Sequence, residues 1–487
     1  MFLGIDIGTS SVKAVVINDA GDVIDQASAP LSVSRPQPLW SEQDPADWWA
    51  ATNKAVLDLS PDRRAKVEGI GLSGQMHGAT LLGPRDEVLR PAILWNDGRS
   101  FQQCGALEAA APRLRDIAGN LAMPGFTAPK LLWVREYEPE TFSKIARVLL
   151  PKDYVRLLMT GEAASDMSDS AGTLWLDVAK RAWSPEILAT TGLSERQMPQ
   201  LFEGSAVTGA LRPDIAKSWG MPSVPVAGGG GDNAAGAVGV GVIKPGDAFL
   251  SLGTSGVLFL SGDKFLPNPA QAVHAFCHAL PDRWHQMTVM LSAASCVDWA
   301  ARLTGVHDAG ELIAKAETRG RIGGPEVFLP YLSGERTPHN DPHARGVLLG
   351  LDHDSDAGAI GQAVLEGVAF AFADGMDALA AGGGTVGDIT VIGGGARSAY
   401  WGRILSAALG RRLVYRRDGA VGPAFGAAKL ALIAVTGASA EEACAPPPVL
   451  HEIDPAPEDV ERLAANRARF REAYPRLKSL FALESRS

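Results

Sequence analysis

Phe2-Leu3-Gly4-Ile5-Asp6-Ile7-Gly8-Thr9-Ser10-Ser11-Val12-Lys13-Ala14-Val15-Val16-Ile17 opens the chain. It reads as a strand, a Gly/Ser turn and a second strand, with Asn18 to Asp22 turning into a third. The pattern returns as Phe249-Leu250-Ser251-Leu252-Gly253-Thr254-Ser255-Gly256-Val257-Leu258-Phe259-Leu260. Ile5 to Ser10 lies over Leu250 to Ser255 at one offset of 245 positions, so a strand-turn-strand unit occurs twice. The only change of chemical class in that hexapeptide is Asp6 to Ser251: one copy keeps an acid, the other has only neutral phosphate-binding groups. Ile70-Gly71-Leu72-Ser73-Gly74-Gln75 and Val391-Ile392-Gly393-Gly394-Gly395-Ala396 extend the likeness, each a strand running into a glycine turn.

In the first hairpin, Gly8, Thr9 and Ser10 supply backbone N–H and hydroxyl groups able to hold a phosphate, and Asp6 is able to hold a hydrated Mg²⁺. An ordinary β-turn is the competing account of the same residues. Two similar halves imply an α/β protein of two duplicated domains with a nucleotide in the cleft between them. Such a cleft closes by hinge motion and protects a phosphoryl donor from water. The expected division is an N-terminal domain over 1–244, a C-terminal domain over 245–440 and a helical extension over 441–487. In the extension Val460, Leu463, Phe470 and Tyr474 recur at helical spacing, and Pro475 is expected to end or kink the helix.

Near the junction stands Gly228-Gly229-Gly230-Gly231-Asp232-Asn233-Ala234-Ala235-Gly236-Ala237, one carboxylate in an otherwise uncharged run. Glycines before an acid free the backbone and leave the carboxylate uncrowded, as a catalytic base requires. A Gly-rich hinge with Asp232 capping the next helix fits the same letters. Upstream, Gln75, Met76 and His77 sit in a glycine-flanked turn, and Trp95-Asn96-Asp97-Gly98-Arg99 adds an indole, an amide and an acid-base pair. Amide, imidazole and carboxylate groups beside an aromatic face suit a polyol, although His77 also reads as a core-edge histidine bonded to backbone. Gly393 to Ser398 is a glycine turn at a helix N-terminus, where a nucleotide meets N–H groups. Lys152-Asp153-Tyr154 and Ser165 to Asp169 read as turns and helix caps.

Bulk composition limits the alternatives. A chain of 487 residues exceeds what one core usually serves, and 46% hydrophobic with 21% charged residues describes a globular protein. A net charge of -10 excludes non-specific attraction to nucleic acid or an anionic membrane. Cys104, Cys277, Cys296 and Cys444 are scattered without a C-x-x-C pair, which fits core thiols in a reducing compartment. Asp6 interrupts the first apolar run and no long apolar stretch follows, so a cytoplasmic protein is expected.

With these residues assembled, the chain resembles the FGGY carbohydrate kinases, whose actin/hexokinase-like (ribonuclease H-like) fold is shared with heat-shock chaperone ATPases. The resemblance runs from Phe2 to about Ala440. It rests on Trp40 to Pro45, Gln75 to Leu82, Pro91 to Arg99, Met123 to Trp133, Gly230 to Ala237 and Leu332 to Asn340. Two positions depart from the family's signatures, Tyr137 where an amide, acid or histidine is usual and Ala359 where a polar residue is usual. The resemblance implies ATP and Mg²⁺ as cofactors and D-xylulose as acceptor, with ribulose as the alternative ketose; a homodimer is compatible with it. By the same resemblance Asp232 is the base, Asp6 assists with metal through water, and Met76, His77 and Asn233 contact the sugar. Its nucleotide site falls on Gly253, Thr254, Gly394 and Gly395. Glycerol kinases of the family carry charged residues at the Met76-His77 positions, so this pair implies a ketose. A filament-forming or peptide-clamping ATPase is the alternative of a different class.

Overall fold

The computed structural model describes residues 1–417 and 422–481. The opening hairpin forms: β1 (Phe2–Ile7) pairs antiparallel with β2 (Ser11–Ile17), and β2 with β3 (Val23–Pro30). β4 (Gly69–Gly74) returns parallel to β1 on its other side. With β5 (Val207–Ala210) and β6 (Pro225–Ala227) the first sheet runs β5-β6-β4-β1-β2-β3. The second sheet is built from β7 (Ala248–Leu252), β8 (Gly256–Gly262), β9 (His274–Cys277), β10 (Trp284–Met290), β11 (Ile389–Ile392), β12 (Leu413–Arg416) and β13 (Val449–Ile453). Its order is β13-β12-β11-β7-β8-β10-β9. Six of the seven strands of the first sheet, all but the short Gly230–Gly231 strand beside β4, thus recur in the second with every parallel or antiparallel sense preserved, and β9 is an addition at one edge.

The offset of 245 holds through the first strand of each hairpin and then slips. Leu3, Ile5 and Ile7 enter one lobe core as Ala248, Leu250 and Leu252 enter the other. Past the turn, Ala14 lies opposite Ile5 and Leu258 opposite Leu250, positions that differ by 244. The Gly8 N–H closes its turn on the Ser11 carbonyl, whereas the Gly253 N–H closes on Ser255. Because side chains alternate along a strand, one residue fewer in the turn exchanges the faces. Leu258 and Leu260 therefore fill the second core while Phe259 turns toward the lobe interface.

Among the helices, in chain order, are α1 (Pro45–Leu57), α2 (Thr127–Tyr137), α3 (Pro151–Thr160), α4 (Met167–Ala171) and α5 (Asp232–Val240) in the first half. The second half has α6 (Ala294–Thr304), α7 (Ala357–Ala381), α8 (Ala399–Leu409), α9 (Pro423–Thr436) and α10 (Pro457–Phe481). α1 starts where Asp44 accepts the Ala46 N–H, and it buries Trp48 against the first sheet. α9 belongs to the second half but lies across β1 and β4 of the first. That approach requires Gly4 and Gly71, since a β-carbon at either would collide with the carbonyl of Ala424 or Ala427. α5 in return sets Ala237 and Val240 against Phe249 and Phe259 of the second lobe. The two lobes therefore exchange helices, and α5 and α9 cross where Gly426 meets the Ala235 carbonyl.

α10 docks on the second core through Leu463, Phe470, Tyr474 and Phe481. Of the end or kink expected at Pro475 the end does not occur, for the helix continues to Phe481. Tyr474 anchors the turn before the proline by stacking on His339 at 3.7 Å and donating to Asp341 at 2.8 Å, and burial of Phe481 anchors the turn beyond. Val460 is 38% exposed and takes no part in the core. The stretch from 441 contributes β13 as well as helix, while residues 482–487 lie outside the described residues. All four cysteines are buried free thiols. Among the described residues no helix is long and apolar enough to cross a membrane.

Candidate active site

β4 carries Ser73 between two neighbours. Asp6 of β1 lies opposite it on one side, and Gly230 pairs with it on the other, with Gly231 opposite Gly74. Asp232 follows as the first residue of α5, so two carboxylates converge at the end of this strand. Burial raises Asp6 to about 7, assisted by the Asp232 charge, while the Ser73 hydroxyl and the Lys13 ammonium pull it down. Burial also raises Asp232 to about 6, against the N–H and side-chain amide of Asn233, which donate to its Oδ1 at 2.7 and 3.0 Å. The Asp6 Oδ1 is buried with no hydrogen-bond partner. Such an atom asks for a ligand or water.

The cap reading of Asp232 does not describe the fold, because Gly231 is the N-cap. The glycine run before it is held rigidly. Arg156 donates to the carbonyls of Ala227 and Gly228 at 2.8 and 2.6 Å, and the Gly229 N–H donates to Gly204 at 2.8 Å. Gly229 has φ +75°, and a β-carbon there would strike the Leu72 carbonyl. The Gly231 N–H donates to Ser168 Oγ at 3.1 Å, and that hydroxyl donates to Asp166 at 2.5 Å. Asp166 belongs to a wholly buried cluster in which Lys152 Nζ lies 2.5, 2.8 and 3.3 Å from Asp153, Asp166 and Asp169. The residues read from sequence as turns and caps thus form an ionic floor beneath the loop. A buried cluster of this kind is costly to break because a lost partner strands a charge.

Met76 and His77 follow the same strand. The Met76 side chain fills the space beside Gly231 and Gly172, tying it to the base loop. His77 has φ +70°, and its carbonyl receives Thr127 Oγ1 at 3.2 Å and Lys130 Nζ at 2.9 Å, so α2 fastens a residue in an unfavourable conformation. Its Nδ1 faces the Gly172 carbonyl at 2.6 Å. A carbonyl only accepts, so Nδ1 carries the proton and Nε2 is left as an acceptor. Burial holds the ring neutral, with its pKa lowered to about 3.

The other expected first-lobe residues form a relay. Trp95, 45% exposed, donates its indole N–H to Thr9 Oγ1 at 3.0 Å; Thr9 donates to Gln75 Oε1 at 3.0 Å; Gln75 donates to Gln43 Oε1 at 2.8 Å. Gln75 is thus engaged with the hairpin tip and Thr9 with Gln75, while the Gly8 N–H is taken up inside the turn. Ser10 and Asn96 are exposed. Asp97 and Arg99, 2.7 Å apart, are buried as an ion pair on which Ser41 and Trp40 pack.

In the second lobe Gly253, Thr254, Gly394 and Gly395 line one cavity of about 620 Å³ together with Ser295, Arg397 and Trp401. The hairpin tip is buttressed by the start of α6, whose Ala293 and Ala294 N–H groups donate to Thr254 and Gly253 carbonyls, each at 2.9 Å. A larger cavity of about 740 Å³ opens at the opposite end of this sheet and is lined by none of the expected site residues. Of the residues that do the holding, sequence reasoning gave no role to Thr127, Lys130 and Arg156, and read Ser168 only as part of a turn or cap. The available signal was a charge with apolar chain neighbours, Lys130 before Leu131 and Leu132, and Arg156 between Val155 and Leu157.

Residues 1–239 match the N-terminal domain of the FGGY family of carbohydrate kinases, and residues 248–435 match its C-terminal domain. The chain is 59% identical over 435 residues to an Escherichia coli (strain K12) protein named xylulose kinase, covering 89% of this chain and 90% of that one. It is 58% identical over 436 residues to one of the same name from Klebsiella pneumoniae, with coverage of 89% and 90%. A crystal structure of a xyloylose kinase from Brucella ovis superposes with a TM-score of 0.95 at 50% identity, covering 98% of this chain and 99% of that one. With both family domains matched in order along two lobes of actin/hexokinase-like fold, the chain belongs to the FGGY family of carbohydrate kinases.

Proposed function

We propose that the protein transfers the γ-phosphoryl group of ATP to the primary hydroxyl of D-xylulose, giving D-xylulose 5-phosphate and ADP, in xylose catabolism. The observation that carries this reading is near-full-length likeness, well above half identity, to enterobacterial proteins named xylulose kinase. The site supports the same chemistry. Asp232 accepts the proton of the attacking hydroxyl, and its pKa near 6 keeps it ionised at neutral pH yet basic enough to act. Met76 and the Nε2 of His77 line the acceptor's path, with Trp95 and Asn96 at its mouth, while Asn233 and Gln75 orient the base and the hairpin. Gly8, Thr9 and Ser10 from one lobe and Gly253, Thr254, Gly394 and Gly395 from the other receive the nucleotide. Phosphoryl transfer needs little beyond positioning and charge neutralisation, which suits two tips of backbone N–H groups and a closing cleft.

The unpartnered Asp6 Oδ1 fits a water of a hydrated Mg²⁺, so Asp6 would hold the metal indirectly. Mg²⁺ bound with the nucleotide neutralises phosphate charge. Burial, assisted by the Asp232 charge, raises Asp6 to about 7, so Asp6 is partly protonated near neutral pH. Four buried free thiols fit a reducing, cytoplasmic setting. A homodimer is the assembly we assign, and light scattering at twice the 51.1 kDa chain mass checks it.

The test is a panel of ketoses, aldoses and polyols with ATP and Mg²⁺, read by coupled ADP detection. D-xylulose is expected to give the highest kcat/KM. A preference for ribulose would replace the acceptor, and ATP hydrolysis indifferent to every sugar would overturn the kinase reading.

A further inference from the structure

Arg336 stands in the second-lobe loop Leu332-Ser333-Gly334-Glu335-Arg336-Thr337-Pro338, and nothing above uses it. The one carboxylate acting on it, Glu335, is turned to the backbone N–H groups of Leu291 and Arg336 at 2.9 and 2.8 Å. Its guanidinium instead places Nη1 3.3 Å from His274 Nε2. Each link behind that contact has a fixed sense. Asn120 donates its amide N–H groups to the carbonyls of Ala118 and Ala275 at 2.8 and 3.0 Å, so its oxygen faces His274 Nδ1 at 2.9 Å. His274 therefore carries its proton on Nδ1, and its Nε2 accepts from Arg336. The relay begins in the first lobe at Asn120 and ends in the second at Arg336, which it aims.

The direction of that aim follows from the rings. The Phe126 centroid lies 4.7 Å from that of His77 and 5.6 Å from that of His274, and Phe276 lies 6.4 and 5.5 Å from the same two. His77 and His274 thus flank one aromatic pair, with Arg336 on the His274 side. The Arg336 charge also acts on His77, in keeping with their places on either side of that aromatic pair. Arg336 also keeps part of its surface open, as a group lining a cleft does.

We propose that Arg336 is a specificity-determining residue that donates hydrogen bonds from the second lobe to the carbonyl end of the ketose. This rests on the acceptor reading given above. A ketopentose whose reacting hydroxyl meets Asp232 and whose chain passes His77 presents its keto oxygen at the far end. A keto oxygen only accepts and a guanidinium only donates, so the two match. The hydroxyl of the C2-reduced pentitol brings a hydrogen for which a guanidinium offers no acceptor. In a desolvated cleft a charge-assisted bond of this type is stronger than a neutral one.

The experiment compares wild type and Arg336→Gln, as full chains, on D-xylulose and xylitol, with KM for ATP measured alongside. Where xylitol is not turned over, its inhibition constant against D-xylulose takes its place. Arg336→Gln is expected to lower kcat/KM for D-xylulose by about 10- to 100-fold, mainly through KM, since hydrogen bonds to charged groups have that size. Xylitol is expected to change by less than about threefold, and KM for ATP by less than about twofold, because neither depends on a lost keto contact. Equal losses on ketose and pentitol, a change confined to ATP, or unaltered D-xylulose kinetics would each overturn the proposal. A wild-type enzyme inert on every ketose strikes the acceptor reading instead, and a normal wild type beside an unchanged variant strikes Arg336 alone. Should Arg336→Gln not fold, Arg336→Lys keeps the charge but not the planar fork. It is expected to weaken D-xylulose by about tenfold, and wild-type selectivity in it counts against the proposal.

Discussion

The two hairpins share strand order, pairing senses and a Gly-Thr-Ser tip, and they differ in what surrounds that tip. In the first lobe the tip is held by side chains, Gln75, Gln43 and Trp95, and the strand beside it leads into Gln75, Met76 and His77. In the second it is held by main chain from α6, and the corresponding strand leads into Gly393, Gly394 and Gly395. Asp6 has Ser251 as its counterpart. A common backbone has thus been furnished with functional groups on one side and stripped to N–H groups on the other. Side chains distinguish one small polar acceptor from another; bare backbone accommodates phosphate with no competing charge.

The largest expected effect breaks the furnished side. Asp232→Ala should lower kcat by about 10²–10⁴-fold while D-xylulose still binds, as loss of a general base does; turnover near the wild-type rate would remove the assignment. In the intact enzyme kcat/KM should fall as pH drops from about 7 through about 6, the range over which burial brings Asp6 and Asp232 to protonation. His77, held neutral with its pKa near 3, should contribute no step there, and a profile flat down to pH 5 contradicts this account.

Next, Asp6→Ser gives the first hairpin the residue of the second. Turnover should fall about 10- to 100-fold with a steeper need for Mg²⁺, the range typical of residues that orient metal ligands; an unaltered Mg²⁺ titration argues against it. A smaller change belongs to the bare side. Gly394 has open space where its β-carbon would be, so Gly394→Ala should fold normally, raise KM for ATP by about tenfold and leave KM for D-xylulose alone. Equal effects on both substrates would mean that the two lobes do not divide the work in this way.

The smallest effect is on stability. Asp6 binds a proton more tightly in the folded chain than in the unfolded one, since its pKa rises from 3.8 to about 7. Its contribution to folding is fully present below 3.8 and is lost as pH rises through 7. Asp6→Asn should therefore raise Tm by a few degrees at pH 8 and by less at pH 5 in differential scanning fluorimetry, even as activity falls. A lower Tm at pH 8 would show that the acid supports the fold rather than straining it.

Much of this was legible in the letters. The repeat of Ile5 to Ser10 at Leu250 to Ser255 determines the two lobes, and the isolated acid after four glycines marks the loop that the structure places beside Asp6. The register slip was not legible, because Gly8 to Ser11 and Gly253 to Ser255 differ by one residue that side-chain type does not reveal. Lys152, Asp153, Asp166 and Asp169 read as turns and helix caps, and Asp166 does cap α4, but their common burial around one ammonium appears only in the fold. Tertiary contacts also overrode local grammar at Pro475, where anchored aromatics on both sides carry the helix through.

The crossing of α5 and α9 has a consequence for change over time. Where Gly4, Gly71 and Gly426 admit no extra atom, a single methyl group would act as a wedge on both sheets and on the loop bearing Asp232. Variation that adjusts the cleft must therefore enter from its rim, through loops such as the one bearing Arg336, because the fulcrum itself has no slack to give.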